Sequence, residues 1–106
     1  MDVDVDVDRP VLRGRELRYV LTMRLFETHE QTLDQLVRAV RAAGFELDGR
    51  ASKTVSDALR WEVARGRVHR LGRGVYRRGS MPRSTYFWIR AQVRALQEPG
   101  AVPRGW

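Results

Sequence analysis

The chain has 106 residues, which is the length of one small domain. Hydrophobic residues make up 42% and charged residues 31%, a balance typical of a globular protein rather than a disordered or membrane-spanning one. The absence of cysteine excludes disulfides and thiol chemistry, and it argues against a structural zinc site. The same absence of cysteine makes a reducing, cytoplasmic setting the expectation. No apolar run approaches the roughly 18 residues of a membrane-spanning helix, so we expect no membrane partner.

The charge of the chain is strongly basic. Lys plus Arg number 20 against 13 for Asp plus Glu, a net charge of +7. Four of the acids lie in the first eight residues, so from Arg9 onward the balance is 20 minus 9, or +11. Such an excess of positive charge on a folded domain predicts a polyanionic partner. Because nearly all the basic residues are Arg, the codon bias of a high-GC genome is an alternative explanation.

Both ends of the chain are expected to be flexible. Residues 1–12 form an acidic leader that opens with alternating Asp and Val, and Asp disfavours strands while like charges repel. This leader is either an inert solubilising segment or a weak polyanion mimic that folds back on a basic face. Residues 98–106 contain prolines and glycines and are expected to form a loose tail.

Apolar spacing predicts two helices in the first half of the chain. The first covers about residues 13–28 and is apolar on two faces, so it is either central to a small core or shared with a partner. The second begins with a capping box, in which Thr32 caps and Gln35 reaches back, and it stops at Gly44. The connection that follows is too short and mixed for a helix, and we expect its Phe45 to lie in the core.

A third helix is predicted over residues 52–65, before Gly66. Its apolar side, which includes Glu62, must pack on the core, and this leaves a short polar and basic side exposed. Trp61 lies on the flank and is expected to meet the fourth helix. That fourth helix is predicted over residues 83–97.

Two β-prone runs, residues 67–71 and 75–78, lie between the third and fourth helices. They flank Gly72-Arg73-Gly74, and glycines tolerate the positive φ that a tight hairpin requires. The hairpin is rich in Arg. It is therefore either a nucleic-acid contact or a solvated edge protected from pairing with other strands.

Helix, helix, linker, helix and hairpin is the order of elements in a winged helix-turn-helix domain. The segment SKTVSDALRWEVARGRVHRLGRGVYRRG resembles the recognition helix, glycine turn and wing of such domains, and TLDQLVRAV resembles the preceding helix. The glycine-centred LGRGVYR is similar to the wing of bacterial winged-helix regulators, including the DNA-binding domain of AbiEi-type antitoxins. The resemblance covers about residues 13–78 and implies a mainly α fold with a small β-hairpin and a winged helix-turn-helix core over residues 13–79. The additional C-terminal helix, in residues 80–97, lies outside the resemblance and is expected either to pack on the core or to form a dimer.

The resemblance also implies binding to double-stranded DNA. The helix over residues 52–65 would lie in the major groove, and the wing over residues 67–78 on the minor groove and backbone. Arg60 suits a guanine or a phosphate, while Asp57 is expected to form a salt bridge with Lys53 or Arg60. Ser52 is alternatively a simple N-cap. The candidate DNA-binding residues are Arg50, Ser52, Lys53, Thr54, Ser56, Asp57, Arg60, Arg70, Arg73, Arg77 and Arg78.

Many winged-helix regulators pair through extra helices, so the resemblance implies a homodimer through the first and fourth helices. Surplus apolar residues in these helices also suggest a partner. The candidate interface residues are Tyr19, Met23, Phe26, Phe87 and Trp88. No catalytic residue, metal or cofactor is predicted, because the two histidines lie in different elements without a cysteine or paired carboxylate at ligand spacing. We therefore expect a cytoplasmic, nucleoid-associated transcription regulator rather than an enzyme. The alternatives are a winged-helix adaptor, an antitoxin-like component, or a nucleoid protein that binds DNA without sequence preference.

Overall fold

The structure is a computed structural model, and it describes residues 9–98. Its four helices are α1 (Gly14–Thr28), α2 (Leu33–Ala42), α3 (Ala51–Ala64) and α4 (Arg83–Gln97). Its strands are β1 (Val11–Leu12), β2 (Glu30–Thr32), β3 (Glu46–Leu47), β4 (Val68–Gly72) and β5 (Val75–Arg78). The mainly helical fold with a small antiparallel sheet is therefore confirmed, and the helices lie close to their predicted bounds.

Helix α1 is the centre of the core. It packs against α2, α3 and α4, and its buried residues include Leu17, Leu21 and Leu25 on one stripe and Met23 on the other. A helix that is surrounded in this way needs apolar residues on more than one face. The two stripes of the sequence are thus explained within this chain.

The antiparallel sheet has three strands in the order β2-β5-β4. The predicted hairpin is confirmed as β4 and β5, and its turn contains Gly74 with φ of 67°. Strand β2 was not predicted. It pairs with β5 so that Gln31 lies opposite Tyr76, and the ladder continues to Leu33, whose N–H donates to the carbonyl of Gly74 at 2.9 Å. The tip of the hairpin therefore lies against the first turn of α2.

A second, two-stranded sheet corrects the predicted leader. Strand β1 pairs in parallel with β3, so that Leu12 lies opposite Leu47, and both side chains are buried. The N–H of Glu46 also donates to the carbonyl of Pro10 at 2.9 Å. The prediction of a flexible leader up to residue 12 is wrong at its end, because these residues belong to the fold. Residues 1–8 and 99–106, which hold the rest of the predicted leader and nearly all of the predicted tail, lie outside the described residues.

Local signals fix the ends of α2. The capping box is confirmed: the N–H of Gln35 donates to Thr32 Oγ1 at 3.1 Å, and the Thr32 N–H donates to Gln35 Oε1 at 2.8 Å. At the other end Gly44 has φ of 100°, and the next N–H, that of Phe45, returns to the carbonyl of Val40. Phe45 is buried in the core, as expected. None of the helices within residues 9–98 combines the length and apolar character that crossing a bilayer requires.

Candidate nucleic-acid interface

Helix α3 has one buried face and one exposed polar face. Val55 and Leu59 are buried in the core, which fixes the helix against α1 and α2. On the other side the Lys53 and Arg60 side chains are 67% and 80% exposed. Ser52 is also exposed, whereas Ser56 is half-buried. The predicted polar and basic flank is thus open to solvent.

The carboxylate of Asp57 binds both neighbouring cations of this flank. Lys53 Nζ donates to its Oδ2 at 2.8 Å, and Arg60 lies 3.6 Å from its Oδ1. The hydrogen bond from Lys53 lowers the pKa of Asp57, partial burial opposes this, and the charges of Lys53 and Arg60 add to the lowering. The predicted salt bridge is therefore confirmed. The group of three retains a net charge of +1, which is 2 minus 1.

The start of α3 differs from one expectation. Ser52 is not the N-cap, because the helix begins at Ala51 and the capping position is Arg50, whose side chain makes no capping bond. Thr54 Oγ1 donates to the carbonyl of Asp48 at 2.6 Å, so its proton is used within the chain. The first amides of α3 have no side-chain cap and no acidic residue in the first turn, which leaves the positive end of the helix dipole open to an anion.

The arginines of the hairpin lie on both of its faces. Arg70 pairs opposite Tyr76 and Arg78 opposite Val68, so both share a face with buried residues. Arg77 belongs to the other face, opposite His69 and Glu30. These three candidate DNA-binding arginines are therefore divided between the two faces of the hairpin by the strand register. Arg73 stands exposed at the tip, beside the first turn of α2.

Five candidate DNA-binding arginines have no acidic partner among the residues that the structure describes. Among residues 9–98, no carboxylate oxygen lies within 4.0 Å of the side-chain nitrogens of Arg50, Arg70, Arg73, Arg77 and Arg78. All five are exposed. Within the described part of the chain, solvent and counterions therefore balance these charges, and a polyanion would displace the counterions.

A buried carboxylate lies behind this surface, and sequence reasoning did not give it a role. Glu62 of α3 is 0% exposed. Its Oε1 accepts from Thr22 Oγ1 at 3.1 Å and from Arg67 Nη1 at 3.2 Å, and Arg18 Nε lies 3.4 Å from its Oε2. The sequence signal for this cluster was an acidic residue on the apolar side of a predicted helix. A carboxylate that is buried there needs a charged partner. Glu62 links α1, α3 and the residue that precedes the hairpin.

The aromatic and apolar candidates are divided between core and surface. Met23 is buried within this chain, so its assignment to a dimer interface is corrected. Tyr19 packs edge-to-face on Trp88, with ring centroids 5.6 Å apart, and both are at least partly accessible. Trp61 was expected to pack on α4, but it is 58% exposed and lies under the guanidinium of Arg18 of α1.

The structure therefore brings an uncapped helix start, a polar helix flank and an Arg-rich hairpin into one small domain. Of the two acids between Arg50 and Arg94, Asp57 is paired and Glu62 is buried, while the same segment has twelve basic residues. No family model, curated protein or solved structure matches this chain. What the protein does is accordingly inferred from its own residues and geometry.

Proposed function

We propose that the protein binds double-stranded DNA as a winged helix-turn-helix regulator of transcription. In this proposal α3 enters the major groove with its polar flank, and the hairpin contacts the backbone or the adjacent minor groove. The observation that carries the proposal is the division of α3 into a face held in the core by Val55 and Leu59 and an exposed face with Lys53 and Arg60. A helix that is held on one side and polar on the other is suited to insertion into a groove.

The order of elements supports this function. Three helices are followed directly by an antiparallel hairpin, which is the order that the resemblance to winged helix-turn-helix domains implies. Helix α3 has 14 residues, about 21 Å at 1.5 Å per residue, which is long enough to span the major groove. The first turn of α3 enters the groove before the rest of the helix, because its uncapped amides and Ser52 then reach the phosphates or base edges.

The charges assign different roles to the two elements. Lys53 and Arg60 contact base edges, where a bidentate arginine is worth about 1–3 kcal/mol of discrimination against the wrong base. Arg73 has an exposed side chain at a glycine turn and contacts the backbone or a minor groove. If roughly five to seven phosphates are neutralised, the logarithm of the affinity falls with the logarithm of salt at a slope of about −5 to −6.

Fluorescence anisotropy with a labelled duplex at several salt concentrations tests the proposal. Arg73→Ala is expected to weaken binding to all duplexes alike and to make the slope shallower by about 1, whereas Arg60→Ala also relaxes the preference at one base pair. Arg94→Ala is the matched control, since it removes an exposed arginine from α4. Equal weakening by the control, or no binding of duplex or heparin at about 100 mM salt, contradicts the proposal.

Two other functions are separated by the same assay. A nucleoid protein without sequence preference would bind specific and random duplexes with a ratio near one. A protein-interaction module is favoured by the exposed apolar side chains of Trp61, Phe87 and Trp88. That second candidate takes over if nucleic acid is not retained, and a homodimer stays a prediction that sedimentation would test.

A further inference from the structure

An open groove lies where the end of α1, the end of β5 and the start of α4 meet. Its volume is about 490 Å³, within the roughly 300–1,000 Å³ of small-molecule sites. The lining side chains are Phe26, Arg78, Met81, Arg83, Tyr86 and Phe87. The set combines apolar rings with two cations, and DNA binding through α3 assigns no role to this combination.

The aromatic rings form a continuous wall. The ring centroids of Phe26 and Tyr86 are 6.0 Å apart, and those of Tyr86 and Phe87 are 5.2 Å apart in an edge-to-face arrangement. Phe87 is 49% exposed, although a ring of this size is normally covered. The wall therefore offers accessible aromatic surface on which a flat ring can pack.

The groove is also electropositive. The guanidinium of Arg78 lies over the Phe26 ring at 5.7 Å from its centroid, which orders the cation at the edge of the groove. Arg83 is the first residue of α4, whose first turn has no acidic residue and no side-chain cap. Within residues 9–98, neither arginine has a carboxylate oxygen within 4.0 Å. The groove is thus lined by two guanidinium groups that have no carboxylate partner among the described residues, beside a helix start, and this combination favours an anion.

We propose that this groove binds a small planar aromatic molecule carrying a carboxylate or phosphate group. The ring packs against the aromatic wall, and Arg78 and Arg83 bind the anion. A second copy of the chain fits less well, because a symmetric contact through this groove brings the same two arginines of both copies together. The groove shares only Arg78 with the candidate DNA-binding residues. Binding to it is measured without any duplex, so failure of this proposal is distinguishable from failure of the proposed DNA binding.

Isothermal titration of the full chain at about 50 mM salt tests the proposal. The probes 2-naphthoate and adenosine monophosphate both combine an aromatic ring with an anionic group. The probe that binds more tightly shows whether the natural ligand is an aromatic acid or a nucleotide. Two control compounds each lack one of these features. The compound 2-naphthalenemethanol has the aromatic rings but no negative charge, and cyclohexanecarboxylate has the negative charge but no aromatic ring. Both controls are expected to bind at least about tenfold more weakly than the better probe.

The variants assign binding to the groove. Phe87→Ala and Arg83→Gln are expected to weaken the better probe about tenfold, while Trp88→Ala and Arg94→Gln leave it unchanged. Trp88 is the matched control, because it is the next residue, similarly exposed, and does not line the groove. Circular dichroism verifies that each variant is folded.

Three results overturn the proposal. The first is no binding of either probe at millimolar concentration. The second is a control compound that binds as tightly as the better probe, or a control variant that weakens binding as much as Phe87→Ala or Arg83→Gln does. The third is a sedimenting dimer that Phe87→Ala dissociates, which would show that a second copy occupies the groove.

Discussion

Replacement of Glu62 by glutamine is the perturbation with the largest expected effect on stability. The side chain keeps its size, and its amide oxygen can still accept from Thr22. It loses the negative charge that Arg18 and Arg67 now share. Two guanidinium groups are then left beside each other around a neutral side chain, in a place where water reaches them poorly.

The expected loss in the free energy of unfolding follows from the burial of Glu62. Removing one partner from a fully buried ion pair costs about 3–5 kcal/mol. Glu62 is 0% exposed, but the Arg18 and Arg67 side chains are 21% and 22% exposed, so water relieves part of the loss. We therefore expect a fall of about 2–3 kcal/mol in the free energy of unfolding. For a domain of this size that corresponds to a drop of roughly 10–20 °C in Tm.

Urea unfolding followed by circular dichroism at 222 nm measures this difference. The midpoint should fall while the slope with urea stays constant. Asp34→Asn is the matched control, because Asp34 forms an exposed pair with Arg38 at 3.8 Å and its side chain is 83% exposed. The control should change stability by less than about 1 kcal/mol, because it removes an exposed pair and one acidic residue from the first turn of α2. A loss at Glu62 no larger than that of the control would refute the reasoning that this cluster is a buried ion network.

Three further substitutions test other parts of the structure. Asp57→Asn releases the two cations that share its carboxylate. In anisotropy titrations the duplex affinity should therefore rise several-fold, and the salt slope should steepen by about 1. An unchanged slope would count against the α3 contact. Gly79→Ala should cost about 1–3 kcal/mol in thermal unfolding, because a Cβ there would overlap the carbonyl oxygen of Gly66, whereas Gly72→Ala meets open space and should be nearly neutral. Thr32→Ala removes the hydroxyl half of the capping box and should cost about 1 kcal/mol by urea unfolding, and no loss would show that the box does not stabilise α2.

Elements fixed by neighbouring residues were predictable from the sequence. The capping box at Thr32 and the glycine after α2 act within one turn of that helix, so they mark its ends without reference to the rest of the fold. The hairpin follows from its glycines, and α4 follows from a regular apolar stripe of Tyr86, Ile89, Val93 and Leu96. The pair of Lys53 with Asp57 was predictable for the same reason, because the two residues lie one helical turn apart.

Elements defined by distant partners were not predictable. Strand β2 has three residues and no periodic signal, and it exists because β5 lies beside it some 45 residues later in the chain. Strand β1 depends in the same way on β3. The partners of Glu62 come from α1 and from the turn before the hairpin, so the sequence showed only an acid in an apolar stripe.

The candidate surfaces show the same division. The exposed flank of α3 follows from its helical period, but the split of Arg70 and Arg77 between two faces depends on the strand register. The aromatic groove depends on the packing of α4 against α1 and on the position of β5. Tertiary contacts therefore decide which arginines can act together.

Two-dimensional amide NMR of the full chain during titration with a duplex locates the DNA contacts residue by residue. The largest shift changes are expected at residues 52–60 of α3 and at Arg73 and Gly74 of the hairpin tip. The exposed far end of α4, around Arg94, should stay unchanged. Changes confined to α1 and α4, with α3 unaffected at saturating duplex, would contradict the proposed mode of binding.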